Sequence, residues 1–121
     1  MTLSRKELGD RAEEKVVEFL VARGAMIVAR NVRLGMLEID IVARLNELIL
    51  VVEVRYRSEQ AWTTGLSSVD LGKRQRIRRA GERLWNRRFK NDSSAQRMRF
   101  DVASVTFSDD QFDIEYIPAA F

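Results

Sequence analysis

Two adjacent stretches within residues 37–57 (LEIDIVARLNELILVVEVRYR) constrain the fold of this chain most strongly. Apolar and polar residues alternate across residues 38–41, which is the pattern of a half-buried β-strand. Residues 48–57 form a second, almost continuously aliphatic strand pattern that charged residues interrupt at every other position: Glu53, Arg55 and Arg57. Asn46 and Glu47 lie between the two patterns and predict a two-residue hairpin turn, although Asn-Gly would be a stronger signal.

This hairpin is expected to place two carboxylates opposite each other. With a two-residue turn, Leu45 pairs with Leu48, and Asp40 then lies directly opposite Glu53. Opposed Cβ atoms are ~5 Å apart, and two unit charges at that distance repel by roughly 3 kcal/mol at an effective dielectric constant of ~20. The apolar residues beside them are expected to point to the opposite face: Ile39, Ile41, Val52 and Val54. A positive group is therefore needed between the carboxylates, and a divalent cation with oxygen ligands is the simplest candidate.

Composition narrows the chemistry of such a site. The chain has 121 residues, which predicts one domain spanning residues 1–121, and it contains neither Cys nor His. Disulfides, thiolate or imidazole zinc sites, cysteine nucleophiles and Ser-His-Asp triads are therefore excluded. A metal site built from the remaining oxygen ligands favours Mg²⁺ or Mn²⁺ over zinc. No run of ~18 apolar residues occurs, and residues 1–15 are too charged for a signal peptide, so we expect a cytoplasmic protein without a membrane partner.

The first helix is predicted from its capping signals. Ser4 and Glu7 form a capping-box pattern, an apolar stripe follows at helical spacing, and Gly24 provides the stop. Glu13 lies in the middle of this helix beside the apolar stripe. On spacing alone, a solvated glutamate is the more common interpretation of such a position.

The remaining segments predict strands and loops. Residues 25–32 predict a short strand, residues 31–35 a turn, and residues 58–68 a loop in which Trp62 is interpreted as a packing residue over the core. Two further alternating segments predict a C-terminal hairpin: residues 98–107 and 112–117.

A second helix is predicted over residues 69–89, with Asp70 or Ser68 as its N-cap and Glu82 as the only acid in its body. Outside its apolar stripe the helix is basic: Lys73, Arg74, Arg76, Arg78, Arg79, Arg83, Arg87 and Arg88. A solvated face normally mixes both signs of charge. This helix therefore suggests binding to a phosphate backbone, with an ordinary solvated face as the alternative.

The order of elements predicts the fold class. One helix, three strands, a second helix and two strands indicate an α/β fold with a mixed central sheet flanked by helices.

The spacing of these two carboxylates along the chain also resembles that of a known sequence motif. Asp40, twelve intervening residues and then Glu53-Val54-Arg55 are similar to the PD-(D/E)xK nuclease signature. More closely, the chain resembles the YraN-like family, predicted nucleases related in fold to archaeal Holliday-junction resolvases. The matching blocks span nearly the whole chain: Gly9 with Glu13, Gly24, Asn31, Glu38-Ile39-Asp40, Val52 to Arg57, Lys73, Arg99 to Val102, and Ala120-Phe121.

The resemblance implies an αβββαβ restriction-endonuclease-like core plus a C-terminal strand. It implies Mg²⁺ or Mn²⁺ held by the side chains of Asp40 and Glu53 and the Val54 carbonyl, with Glu13 reaching the ion directly or through water. Arg55 stands where the usual motif has lysine, and because arginine keeps its proton it cannot act as a base. Arg55 and Lys73 are then the cations of the catalytic set.

Two functions are consistent with these residues. The first is a metal-dependent nuclease that hydrolyses phosphodiester bonds of DNA, branched DNA included, as a homodimer if it cuts two strands symmetrically. The second is a catalytically inactive nucleic-acid-binding domain of nuclease ancestry, in which a salt bridge from Arg55 to one of the carboxylates replaces the ion. In both, DNA is favoured over RNA, and the expected contacts besides Arg55 are these: Arg57, Lys73, Arg74 and Arg78.

Overall fold

Five strands form one mixed sheet in the computed structural model, which describes residues 3–58 and 70–121. In chain order the strands are β1 Met26–Leu34, β2 Leu37–Leu45, β3 Leu48–Ser58, β4 Arg97–Ser108 and β5 Gln111–Ile117. They lie side by side in that order, with β3 and β4 parallel and the other neighbours antiparallel. The helices are α1 Arg5–Ala22 and α2 Leu71–Leu84, the latter continued by a π-helical turn, Trp85–Phe89. The predicted α/β class is confirmed, and the arrangement is consistent with a restriction-endonuclease-like core.

Helix α1 covers one face of the sheet. Its predicted capping box is present, because the Ser4 side chain accepts from the Glu7 N–H and the Glu7 side chain accepts from the Ser4 N–H. Gly24 follows the helix with φ +89°, a left-handed conformation that favours glycine. The buried residues of α1 pack against alternate residues of β2, β3 and β4: Ala12, Val16 and Leu20 against Ile41, Leu50, Val52, Ala103 and Val105.

Helix α2 covers the opposite face. Asp70 is its N-cap, accepting from the Lys73 N–H at 2.8 Å. The buried side chains Ile77, Ala80 and Leu84 pack against the other alternate residues of the sheet: Val42, Ile49, Val51 and Val102. Because both faces of β3 are covered, its sequence is almost continuously apolar, as is usual for strands buried on two sides.

The first hairpin differs from the prediction. Residues 31–35 were expected to form a turn, but β1 continues to Leu34 and the two turn residues are Gly35 and Met36. Asn31 lies inside the strand with a left-handed φ of +51°. The expected turn signal was therefore a local distortion within an extended strand.

The predicted loop at residues 58–68 and the packing role of Trp62 lie outside the described residues, apart from Ser58 at the end of β3.

Neither helix that the structure describes has the length and apolar character needed to cross a lipid bilayer.

Candidate active site

The central hairpin has the register that the sequence predicts. Backbone pairing runs from Leu45 opposite Leu48 to Ile41 opposite Val52, and the turn residue Asn46 has a φ of +57°. Asp40 follows at the next position, where its Oδ2 atom accepts a hydrogen bond from the Val54 N–H at 2.9 Å. The carboxylate thus bonds to a backbone donor of the strand that carries Glu53.

The apolar residues around Asp40 do not all lie where alternation places them. Ile41 and the two valines beside Glu53 pack beneath α1 as expected, but Ile39 packs in the core on the α2 face. Asp40 lies opposite Asn31, between the pairs that join β1 and β2 on either side. Backbone pairing between β2 and β3 ends at Ile41, and beyond it the Asp40 side chain accepts the Val54 N–H, so the two-residue period of β2 is interrupted at Asp40.

Asp40 and Glu53 form an acidic pair in which Glu53 is buried and Asp40 is half-buried. Only 5 % of Glu53 is exposed. Burial, followed by the charge of Glu53 and a hydrogen bond with it, raises the pKa of Asp40 to about 7, although the Val54 hydrogen bond and the charge of Lys73 oppose the shift. The repulsion between the two carboxylates that the sequence predicts is therefore part of the folded structure.

Lys73 is the cation closest to this pair. Its Nζ atom lies 2.8 Å from Oε1 of Glu53, whereas NH1 of Arg55 lies 3.9 Å from the same oxygen. Lys73 is in the first turn of α2, where the Asp70 cap fixes the backbone that carries it. About a third of each cationic side chain is exposed, 33 % for Lys73 and 34 % for Arg55, so both also reach solvent.

Glu13 lies near Asp40 but has its own partners. Its Oε1 atom accepts from Arg30 Nε and Asn31 Nδ2, both at 3.2 Å, and its side chain is only 15 % exposed. Burial raises the pKa of Glu13, the Arg30 hydrogen bond opposes that shift, and the charge of Asp40 adds to it. Glu13 is therefore not the freely solvated residue that spacing alone suggests.

An open cleft of about 330 Å³ gives access to the pair. Its lining includes the predicted residues Asp40, Glu53 and Lys73, together with Met36, Leu37, Glu38, Arg76 and Ile77. Arg76 was not singled out as a site residue, although its position one helical turn after Lys73 is a signal that could have found it. Met36 had no comparable signal, since the hairpin tip that carries it was misplaced.

The other predicted nucleic-acid contacts lie away from this cleft. The guanidinium carbon of Arg78 is 5.4 Å from the ring centre of Phe100, and that of Arg74 is 6.0 Å from the ring centre of Phe121. Arg57 is partly buried, and its Nε atom has no hydrogen-bond partner among the described residues. The structure therefore brings Lys73 to the carboxylates but holds Arg74 and Arg78 over aromatic rings on another flank of α2.

The buried pair fits a hard divalent cation. No group of three or more acidic side chains within the described residues is arranged to hold a metal ion. Magnesium, however, is commonly bound through only one or two carboxylates together with substrate phosphates. Two adjacent carboxylates, one with its pKa raised by burial, are a donor set that such a cation would stabilise.

Comparison with known proteins agrees with the resemblance. Residues 12–105 match the sequence model of the Uncharacterised protein family UPF0102, which is the YraN family. The chain belongs to UPF0102. A UPF0102 protein from Sorangium cellulosum is 50% identical over 119 residues, which cover 98% of this chain and 83% of that protein. A UPF0102 protein from Myxococcus xanthus is 36% identical over 97% of this chain and 90% of its own length.

The UPF0102 match contains the whole candidate site. It begins in α1 before Glu13 and ends in β4, so it includes the central hairpin, α2 and the Lys73–Glu53 ion pair, while β5 lies beyond it. A more distant UPF0102 protein from Dictyoglomus turgidum, 33% identical, aligns over 98% of this chain and 100% of its own length.

Proposed function

We propose that this UPF0102 protein is a metal-dependent nuclease that hydrolyses phosphodiester bonds of DNA, branched DNA included. The observation that carries the proposal is the pair of half-buried Asp40 and buried Glu53 at an open cleft, with Lys73 at 2.8 Å from Glu53. Two like charges held together with little access to water reduce the stability of the fold. Such an arrangement is typical of sites where function requires the charges.

The carboxylates are the ligands that would hold Mg²⁺ or Mn²⁺. Asp40 and Glu53 would bind the ion through side-chain oxygens, and the Val54 carbonyl is a further predicted ligand. Glu13, whose Oε1 atom accepts from Arg30 and Asn31, would contribute through a water molecule. When bound, such an ion polarises a scissile phosphate and lowers the pKa of a bound water.

Lys73 takes the role that the motif lysine has in related signatures. It lies closer to Glu53 than Arg55 does, and an ammonium group can donate to a phosphate oxygen and stabilise the negative charge that develops in the transition state. Arg55 keeps its proton, so its contribution is electrostatic only.

The basic surface of α2 is the proposed contact for the phosphate backbone. Arg76 borders the cleft, and the predicted contacts Arg57, Arg74 and Arg78 extend the positive charge beyond it. The preference for DNA over RNA and the homodimer needed for symmetric cutting of two strands stay predictions.

The structure also supports a second candidate, an inactive nucleic-acid-binding domain. Lys73 already provides a positive charge at Glu53, and Glu13 is bonded to Arg30 and Asn31. In that case the ion pairs of Glu53, with Lys73 at 2.8 Å and with Arg55 at 3.9 Å, take the place of the metal ion.

A cleavage assay separates the two functions. Labelled branched, single-stranded and continuous duplex DNA would be incubated with the protein in Mg²⁺, in Mn²⁺ and in EDTA. We expect cleavage only with a divalent ion, loss of cleavage in Glu53→Gln, and unchanged cleavage in Glu47→Gln, since Glu47 is an exposed turn residue.

The remaining outcomes are equally informative. Salt-dependent binding without cleavage, with cleavage appearing in Arg55→Lys, would establish the inactive domain instead. Absence of both cleavage and salt-dependent binding would exclude both functions.

A further inference from the structure

The tip of the β1–β2 hairpin carries an apolar side chain in open water. Met36 is fully exposed, more than any other large apolar residue in the parts of the chain that the structure describes. The two leucines beside the turn are covered instead, with Leu34 at 3 % exposure and Leu37 half-buried. Hairpin turns of two residues usually carry Gly, Asn or Asp, so packing and turn geometry do not explain a methionine at this position.

The hairpin tip is attached to α2. NH1 of Arg83 donates to the carbonyl oxygen of Leu34 at 3.3 Å. A Cβ atom added at Gly35 would lie 3.3 Å from the same NH1 atom, so the helix approaches the turn closely. Gly35 has φ +68°, which a residue with a side chain adopts with strain. Met36 is therefore presented from a supported turn rather than from a long loop.

Met36 lies beside the acidic pair and lines two adjoining depressions, each of which contains an arginine. It lines the same cleft as Asp40, Glu53 and Arg76. It also borders a depression of about 160 Å³ that Arg33 lines, and Glu38 lines both. An exposed apolar side chain with an arginine in each adjoining depression matches the chemistry of a nucleotide step, in which an apolar base stack is flanked by phosphates.

We propose that Met36 is a wedge that inserts between adjacent bases next to the scissile phosphate and thereby selects nucleic acid with an interrupted base stack. The inference rests on the proposed nuclease function and adds a class of substrate to it. Methionine is among the apolar side chains that proteins insert between base steps. Arg33 and Arg76 would contact the phosphates on either side of the opened step.

The preference follows from the cost of unstacking. Opening a continuous base stack takes free energy, whereas at a branch point or flap the stack is already broken. A wedge is therefore bound more tightly at a junction than within a continuous duplex. The expected preference is about tenfold in Kd, which corresponds to about 1.4 kcal/mol.

Fluorescence anisotropy tests the wedge without requiring cleavage. The probes are a fluorescein-labelled duplex with a single-stranded flap and a continuous duplex of equal length, both in EDTA at one salt concentration. Met36→Ala is expected to reduce the junction preference from about tenfold to less than twofold. Met36→Leu, which keeps an apolar side chain, is expected to retain it. Met26→Ala is the matched control, because Met26 is an exposed methionine at the opposite end of β1.

The outcomes distinguish failure of the wedge from failure of the proposed function. If Met36→Ala keeps the preference, or if the unmodified protein binds both probes equally and in a salt-dependent manner, the wedge is wrong and the nuclease proposal stands. If the unmodified protein binds neither probe, the proposed function fails and the wedge fails with it. Loss of the preference in Met26→Ala as well would also overturn the wedge.

Discussion

Asp101 on β4 and the Asp40–Glu53 pair on β2 and β3 differ in how far hydrogen bonds and counter-charges compensate their burial. Asp101 of β4 is completely buried and receives four hydrogen bonds: from Arg99 Nε at 2.8 Å, Arg99 NH2 at 2.9 Å, the Tyr116 hydroxyl at 2.5 Å and the Ala119 N–H at 2.9 Å. Asp40 accepts a backbone hydrogen bond from the Val54 N–H and faces Glu53. Hydrogen bonds compensate the burial of Asp101, whereas the Val54 bond and the charge of Lys73 compensate that of Asp40 only in part.

The difference separates a structural role from a functional one. The bond to Asp101 raises the pKa of Arg99, and burial together with that carboxylate raises the pKa of Tyr116, so Arg99 stays positively charged and Tyr116 stays a neutral hydrogen-bond donor. At Asp40, burial and a neighbouring acid destabilise the ionised form. Four substitutions test this contrast, from the largest expected effect to the smallest.

Removing the charge of Asp101 should have the largest effect on the fold. Asp101→Asn leaves the Arg99 guanidinium without its charged partner and places an amide among hydrogen-bond donors. The free energy of unfolding is expected to fall by about 3–5 kcal/mol, as is usual when one member of a buried pair is removed. Urea unfolding followed by circular dichroism measures it, with the exposed Asp113→Asn on β5 as a control. A loss similar to that of the control would show that Asp101 is not a structural anchor.

Removing the Lys73 ammonium group beside the acidic pair should lower the cleavage rate rather than the stability of the fold. Lys73→Ala is expected to lower the rate of cleavage by about 10²–10³-fold, equivalent to about 2.7–4 kcal/mol, the usual effect of losing one donor to a developing charge. Single-turnover cleavage measures it, with Lys90→Ala as a control, since Lys90 is exposed after the π-helical turn. A larger loss in Arg55→Ala than in Lys73→Ala would assign the role to Arg55.

Neutralising Asp40 should stabilise the protein. The folded-state pKa of Asp40, about 7, lies above its ordinary value, so the folded state binds more protons than the unfolded state between about pH 4 and 7 and its stability falls as pH rises through that range. Asp40→Asn keeps a carbonyl oxygen for the Val54 N–H but has no charge. In EDTA at pH 8 it is expected to raise the free energy of unfolding by about 1–3 kcal/mol.

The pH dependence is the control for that substitution. The increase in the free energy of unfolding that Asp40→Asn causes should become smaller as pH falls from 8 to 5. At the lower pH the Asp40 side chain of the unmodified folded protein is protonated and has no charge to remove. A gain that is equal at both pH values, or a loss at pH 8, would contradict the assignment of Asp40 as an uncompensated charge.

The smallest effect concerns the rim of the cleft. Arg76→Ala is expected to weaken DNA binding a few-fold and to reduce the slope of log K against log salt by about 1, the value for one lost phosphate contact. Anisotropy titrations at several salt concentrations measure the slope, with Arg5→Ala on α1 as a control. An unchanged slope would remove Arg76 from the DNA-binding surface.

The sequence predicts the carboxylate pair because its geometry is local. A two-residue turn brings Asp40 near Glu53, and the structure has that turn and the pairing from Leu45 opposite Leu48 to Ile41 opposite Val52. The face of Ile39 was predicted wrongly, because the backbone pairing of β2 with β3 ends at Ile41 and the period is interrupted at Asp40. A side-chain period cannot reveal a position where a side chain accepts the hydrogen bond of a backbone N–H in the next strand.

Contacts between distant parts of the chain were harder to predict. The family resemblance pointed to Lys73, but only the packing of α2 shows that its Nζ atom reaches Glu53. The bonds from Arg30 and Asn31 to Glu13 join β1 to α1, and no spacing in the sequence indicates them. Four donors converge on Asp101 from three separate positions along the chain, which likewise depends on the completed sheet.

Cleavage by Asp40→Asn tests the central claim most directly, because this variant is expected to be at least as stable as the unmodified protein at pH 8. Its rate would be measured on flap DNA in Mg²⁺ and in Mn²⁺, with unfolding curves recorded on the same preparations. We predict a folded, stabilised protein whose cleavage is reduced at least 100-fold, roughly the loss of one transition-state contact. A stabilised variant that cleaves at the unmodified rate would contradict the claim that the buried carboxylate pair is the catalytic site.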